Sequence, residues 1–163
     1  LCAALALRGW RLFSDEFGLV RTGDTSFVPA PRPLALKNES IDVIRSFSRL
    51  AQVGPEIHGT RKGTVAHLKP PTDSVLRSAE TGRAHWIVYP QWEQGAACEL
   101  QPVSPGHSFM LLATNAFNYE VQGEAGFESV RRIVDSARSY RLVYSDLDEA
   151  IEVLEEATGP ERD

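Results

Sequence analysis

The chain has little cysteine, one methionine and no long apolar run. Its two cysteines, Cys2 and Cys98, are too few and too far apart for a disulfide framework or a zinc site. No stretch approaches the ~20 apolar residues that a helix needs to span a bilayer. A basic excess of the kind that marks a nucleic-acid surface is also missing, since the formal charge is −5. The acidity is uneven: residues 146–163 carry eight acids and one arginine, whereas the first 145 residues carry 14 acids and 16 bases. There is no internal repeat, no low-complexity segment and no G-x-x-x-x-G-K-[ST] phosphate loop. These absences leave the expectation of no nucleic-acid and no membrane partner, in a reducing cytoplasm.

What is present is enough for a core. With 163 residues, 42% hydrophobic and 24% charged, the chain reads as one globular domain, residues 1–163. "LCAALALRG" reads as a helix already under way, closed by Gly9 as a left-handed cap. No capping residue precedes it, so the chain is expected to be N-terminally truncated. Arg11 to Ser14, Phe17 to Arg21 and Ser26 to Val28 read as strands, the last two around a turn at Gly23-Asp24. "LALK" reads as a short strand, Ser40 to Phe47 as a helix, and "VGPEIHGTRKG" as a loop or strand edge. Thr64 to Leu68, "HWIVYP", Cys98 to Val103 and "YRLVYS" read as strands. "SPGHSFMLLATNAFNY" reads as helical from Gly106, and Glu124 to Ser139 as an amphipathic helix. An acidic last helix over 146–158 opens at "SDLD", with Ser145 as cap and Asp148 three residues on. The mixture gives an α/β or α+β class.

Three constellations carry possible chemistry. Asp15 and Glu16 stand side by side where the strand over 11–14 would end. They are either two solvated acids opening a turn or a pair at the carboxyl end of a strand, where ligands of α/β sheets sit. Lys62-Gly63, in "GTRKG", is either an exposed basic turn or a cation beside a backbone that approaches phosphate closely. Lys37-Asn38 either points a cation and a helix N-terminus at one anion, or Asn38 and Ser40 merely cap the helix. His67 and His85 adjoin apolar strand runs and read as core histidines. The four histidines form no metal-ligand pattern.

"LCAALALRGWRLFSDEFGLV" resembles the stretch that follows the Walker A loop in HPr kinase/phosphorylase-like proteins. There a helix ends in Arg-Gly and the next strand ends in two acids. "PRPLALKNESIDVIRSF", "GTRKGTVAHLKPP", "NAFNY" and "YSDLDEAI" resemble blocks of the HprK-related kinase A branch, so the resemblance covers nearly the whole chain. It implies a P-loop-type mixed sheet with flanking helices, related to HPr kinase and phosphoenolpyruvate carboxykinase. It further implies a kinase that uses ATP and Mg2+ to phosphorylate a hydroxyl of a small protein or peptide, possibly within a PqqD-like peptide-modification system, and possibly as a homo-oligomer. A non-catalytic nucleotide sensor of the same fold is the alternative.

By position in that family, Glu16 falls on the proton acceptor and Asp15 on the acid beside the metal. Lys62-Gly63 falls on the family's Arg-Gly. Glutamate at 16, where the family has aspartate, reaches one methylene further. The family's magnesium-binding glutamate falls on Thr60. Asp15 then takes more of the metal, or Glu56 reaches in, or the site differs. The family's spacing puts the Walker A loop, ending in Gly-Lys-Ser or Gly-Lys-Thr, directly before Leu1. Without that loop the 163 residues are expected to be inactive.

Overall fold

Cys2–Leu7 form a six-residue helix, α1, whose Ala3, Ala4 and Ala6 are buried. It ends as the glycine signal requires. Gly9, at φ +95°, donates to Ala6 O, and the Trp10 amide reaches back to Leu5 O. These paired bonds close the last turn with a left-handed glycine. The computed structural model describes residues 1–159. Its contacts fall into two units, residues 1–19 with 27–81, and residues 20–26 with those from Gly82 onward.

In chain order the remaining elements are β1 (Leu19–Val20), β2 (Phe27–Val28), β3 (Leu34–Lys37), α2 (Glu39–Phe47), β4 (Ile57–Thr60), β5 (Gly63–Leu68) and α3 (Thr72–Leu76). They continue with β6 (Trp86–Trp92), β7 (Glu99–Pro102), α4 (Pro105–Asn115), α5 (Tyr119–Gln122), α6 (Glu124–Ser136), β8 (Arg138–Tyr144) and α7 (Leu147–Thr158). The fold is mixed α/β, with three small sheets and seven helices among the described residues. None of these helices is long and apolar enough to cross a membrane.

The first unit is built on an antiparallel sheet ordered β3–β5–β4. Leu34, Leu36, Ala66 and Leu68 alternate inward on paired strands and are buried, as a period of two demands. Ile41 and Ile44 of α2 are buried as well. His67, between two inward residues, therefore faces outward and is exposed, and so is His85 just before β6. Neither is the core histidine that its apolar neighbours suggested.

The strand expected over Arg11 to Ser14 does not form. Its polar groups are claimed elsewhere. The Leu12 amide donates to Ser74 Oγ at 2.9 Å, and the Arg11 guanidinium donates to Arg77 O and Glu80 O at 2.7 and 2.6 Å. One backbone bond, Ala30 N to Phe13 O at 2.7 Å, is what remains of a ladder. The apolar run of that segment is real burial, with Leu12 4% exposed, but not a strand.

The second unit has β8 at the centre of a sheet ordered β6–β8–β7, parallel to β6 and antiparallel to β7. Leu142 of β8 is fully buried. Three hydroxyls tie α4 to this sheet: Tyr89 and Ser139 both reach Ser108 Oγ at 2.8 Å. The helix expected to run to Ser139 stops at Ser136, because Arg138 already pairs in β8.

The acidic helix is present as α7, but its cap is Asp146 rather than Ser145. Asp146 Oδ1 accepts from the Asp148 and Glu149 amides at 2.8 and 3.1 Å, while Ser145 Oγ donates to Ala96 O. Replacing an N-cap aspartate costs about 1 kcal/mol. Asp146→Ala is therefore expected to lower the unfolding free energy by that amount, seen as a lower urea midpoint with the slope of the transition unchanged. An unchanged midpoint would remove Asp146 from the cap.

Candidate functional site

Four of the residues singled out by sequence meet at one end of the β3–β5–β4 sheet. Lys37 closes β3 and pairs with Val65, Asn38 follows it, and Gly63 opens β5 after a turn from Thr60. Asn38 holds them together. Its amide donates to Thr64 O at 2.9 Å, its Oδ1 accepts from the Thr64 amide at 3.0 Å, and its Nδ2 lies 3.5 Å from Lys62 O. It pays for this in backbone conformation, at φ +49° and ψ −127°. Its side chain therefore makes no cap bond to α2. Ser40 does not cap in the ordinary way either, since its hydroxyl bonds both the amide and the carbonyl of Lys37 at 2.7 Å.

Only glycine fits at 63. Its φ is +83°, and a Cβ there would lie 2.2 Å from Asn38 Oδ1. Thr60, where a metal-binding glutamate was the expectation, uses its hydroxyl inside the turn. It donates to Gly63 O at 2.7 Å and accepts from the Lys62 amide at 3.1 Å. Beside the turn, His58 Nδ1 lies 3.2 Å from Thr64 Oγ1. Glu56 is held by Arg45 at 2.6 Å, so the carboxylate that was the alternative to Thr60 is already neutralised. Lys37 and Lys62 are exposed and form no ion pair among the described residues.

Asp15 and Glu16 do not sit at the end of a strand. They lie in the irregular stretch between α1 and β1, and both are exposed. Ser14 Oγ shapes that stretch, accepting from the amides of Glu16 and Phe17 at 3.2 and 3.1 Å. Asp15 lies beside Cys2, and its charge adds to burial in raising the thiol's pKa. Neither acid hydrogen-bonds or ion-pairs with Lys37 or Lys62 among the described residues. No group of three or more His, Cys, Asp or Glu side chains among those residues is placed to hold a metal. Magnesium bound through one or two carboxylates and substrate phosphates needs no such cage, so Asp15 with Glu16 remains a chemically suitable donor set.

Reading by sequence missed a second concentration of charge, in the other unit. Asp24, Thr25, Arg83, His85, Arg132 and Ser136 line a cleft of about 540 Å³. Its residues are scattered over three segments, and no short motif marks them. Comparison of the chain with models of protein families, with curated proteins and with solved structures gives no match.

Two measurements follow. Gly63→Ala is expected to destabilise the first unit by about 1–3 kcal/mol, from steric overlap and backbone strain. Asn38→Ala removes the atom that the new methyl meets. The double variant is then less unstable than the two losses summed, and full additivity in urea unfolding would contradict the contact. The second measurement concerns the thiol. Burial, then the neighbouring Asp15 carboxylate, push Cys2 up to about 11. Its folded value is raised, so its contribution to stability is complete below the unfolded value of about 8.5 and is lost as pH rises through about 11. Thiolate absorbance should give that midpoint, and Asp15→Asn should lower it; an unshifted midpoint in the variant would separate Asp15 from Cys2.

Proposed function

We propose that the chain supplies most of the catalytic domain of an HPr-kinase-like phosphotransferase, with a P-loop-type mixed sheet. It would pass a phosphoryl group from ATP to a hydroxyl on a small protein or peptide. The observation that best supports this reading is the Asn38-braced turn, which puts Lys62, a left-handed Gly63 and Lys37 at one sheet end. Phosphoryl transfer asks mainly for positioning and neutralised charge. Lys37 and Lys62 offer cations that form no ion pair among the described residues, and Gly63 is an exposed position with no side chain of its own. Glu16, exposed and free of any ion pair among the described residues, has the chemistry of a proton acceptor for the attacking hydroxyl. Asp15 is the carboxylate suited to magnesium, which when bound supplies charge neutralisation at the phosphates.

A nucleotide sensor without transfer activity is the second reading, and a specific observation favours it. The hydroxyl of Thr60, which stands where the resemblance puts the metal-binding glutamate, is consumed inside its own turn. That hydroxyl does not stand ready as a ligand without rearrangement.

The deciding experiment uses protein expressed with the coding sequence upstream of Leu1 included. ATP hydrolysis and transfer to peptide are measured beside nucleotide affinity. A kinase is expected to lose about 10²–10⁴-fold in kcat on Glu16→Gln while keeping its nucleotide affinity. Lys62→Ala is expected to weaken nucleotide binding. Tight ATP binding with no turnover would select the sensor, and no binding at all would overturn both.

A further inference from the structure

We propose that the cleft of the second unit is a binding site for a small phosphate-bearing molecule, gripped by the guanidinium groups of Arg83 and Arg132. It shares no residue with the Lys37–Lys62 turn and holds whichever way the phosphotransferase reading falls. At about 540 Å³ it has room for a small organic phosphate.

The charged donors left over in the cleft are guanidinium nitrogens, with the exposed His85 ring beside them. Arg83 is exposed and makes no hydrogen bond or ion pair among the described residues; its field is felt only at a distance, by Asp24. Arg132 commits Nε to Glu128 Oε1 at 2.7 Å and Nη1 to Gly23 O at 3.3 Å, which fixes the fork and leaves Nη2 unused. By contrast, the two hydroxyls are spent inside the protein. Thr25 Oγ1 donates to Asp24 O and Ser136 Oγ to Ile133 O. A planar fork with spare N–H groups suits phosphate oxygens and can bind them in pairs.

The acids nearby do not cancel this. Asp24 is occupied by Ser26, whose amide and hydroxyl both donate to Oδ1, and these bonds hold its carboxyl below the usual range. Glu128 is shared between Arg131 and Arg132, whose hydrogen bonds hold it down at about 2. Of the charged residues that line the cleft, Arg83 and Arg132 outnumber Asp24, so one positive charge is left over. The rim is also shaped against local preference. Thr25 is β-branched yet sits at φ +58°, in the turn whose Gly23 carbonyl Arg132 holds.

The test is an amide-shift NMR titration of the whole chain with inorganic phosphate, against sodium chloride at matched ionic strength. Saturable shifts are expected at Arg83, His85, Arg132 and Ser136, with no such response to chloride. Arg83→Ala should weaken phosphate about tenfold or more, and Arg132→Ala likewise. Arg49→Ala, an exposed arginine of the first unit, should change nothing at these positions. Shifts that fail to saturate, that chloride reproduces, that persist unweakened in Arg83→Ala, or that fall only at Lys37 and Lys62 would each overturn the site.

Discussion

The amide group of Asn38 is the contact on which the candidate site of the first unit depends. A backbone at φ +49° is unfavourable for any residue with a Cβ, and asparagine tolerates it better than most. The strain is offset by three contacts to the opposite strand and its turn, two of them at 3.0 Å or less. Because those contacts reach Thr64 and Lys62, they also fix where the turn points. Gly63 follows from the same geometry: with Oδ1 only 2.2 Å from any Cβ, no other residue fits. One polar side chain thus decides the neighbouring backbone and the identity of a residue 25 positions later.

The second unit is organised differently, by apolar burial with a polar lock. β8 lies between its two partner strands, and Leu142 is sealed from solvent. A hydroxyl cluster in such a place costs stability unless every member is bonded. Ser108 is fully buried and meets both Tyr89 and Ser139, so the cluster is satisfied and also specifies where α4 docks. The cleft takes three of its residues from α6 itself, Arg132, Ile133 and Ser136, and His85 stands just before β6.

How far the sequence was legible depended on the kind of signal. Elements marked by periodicity appeared where expected: α2, β5, β6, β8 and α7 all carry apolar residues at the spacing of their type. Gly9 was legible because a left-handed cap demands glycine. The segment over 11–14 misled, because a short apolar run does not say whether its amides will find a strand. Here Ser74, distant in sequence, takes the Leu12 amide. The cap of α7 misled by one residue, since Ser145 and Asp146 are both good caps and Ser145 has a competing acceptor in Ala96. Lys37, Asn38, Lys62 and Gly63 were named by sequence, but the bonds joining them were not legible, because Asn38 had the pattern of an ordinary helix cap. The cleft of Arg83 and Arg132 left no trace in sequence, since its charges converge only in space.

The treatment of charge separates structural from functional candidates. Five arginines are held in ion pairs: Arg11 with Glu80, Arg45 with Glu56, Arg77 with Asp73 and Glu80, Arg131 with Glu128 and Asp135, and Arg132 with Glu128. Exposed pairs of this kind contribute about 0–1 kcal/mol each, so pairing is not what holds the fold together. Its effect is to cancel fields locally and to fix long side chains in place. Lys37, Lys62 and Arg83 are among the cations outside that scheme in the described residues, and each adjoins a backbone at positive φ. The two lysines flank a turn that is strained and admits only glycine, and Arg83 lines a cleft beside a threonine in a left-handed backbone. Uncancelled cations on a flat surface would carry no message. Here each adjoins a backbone feature that costs folding energy, and an anion bound there would recover part of that cost by ordering both at once.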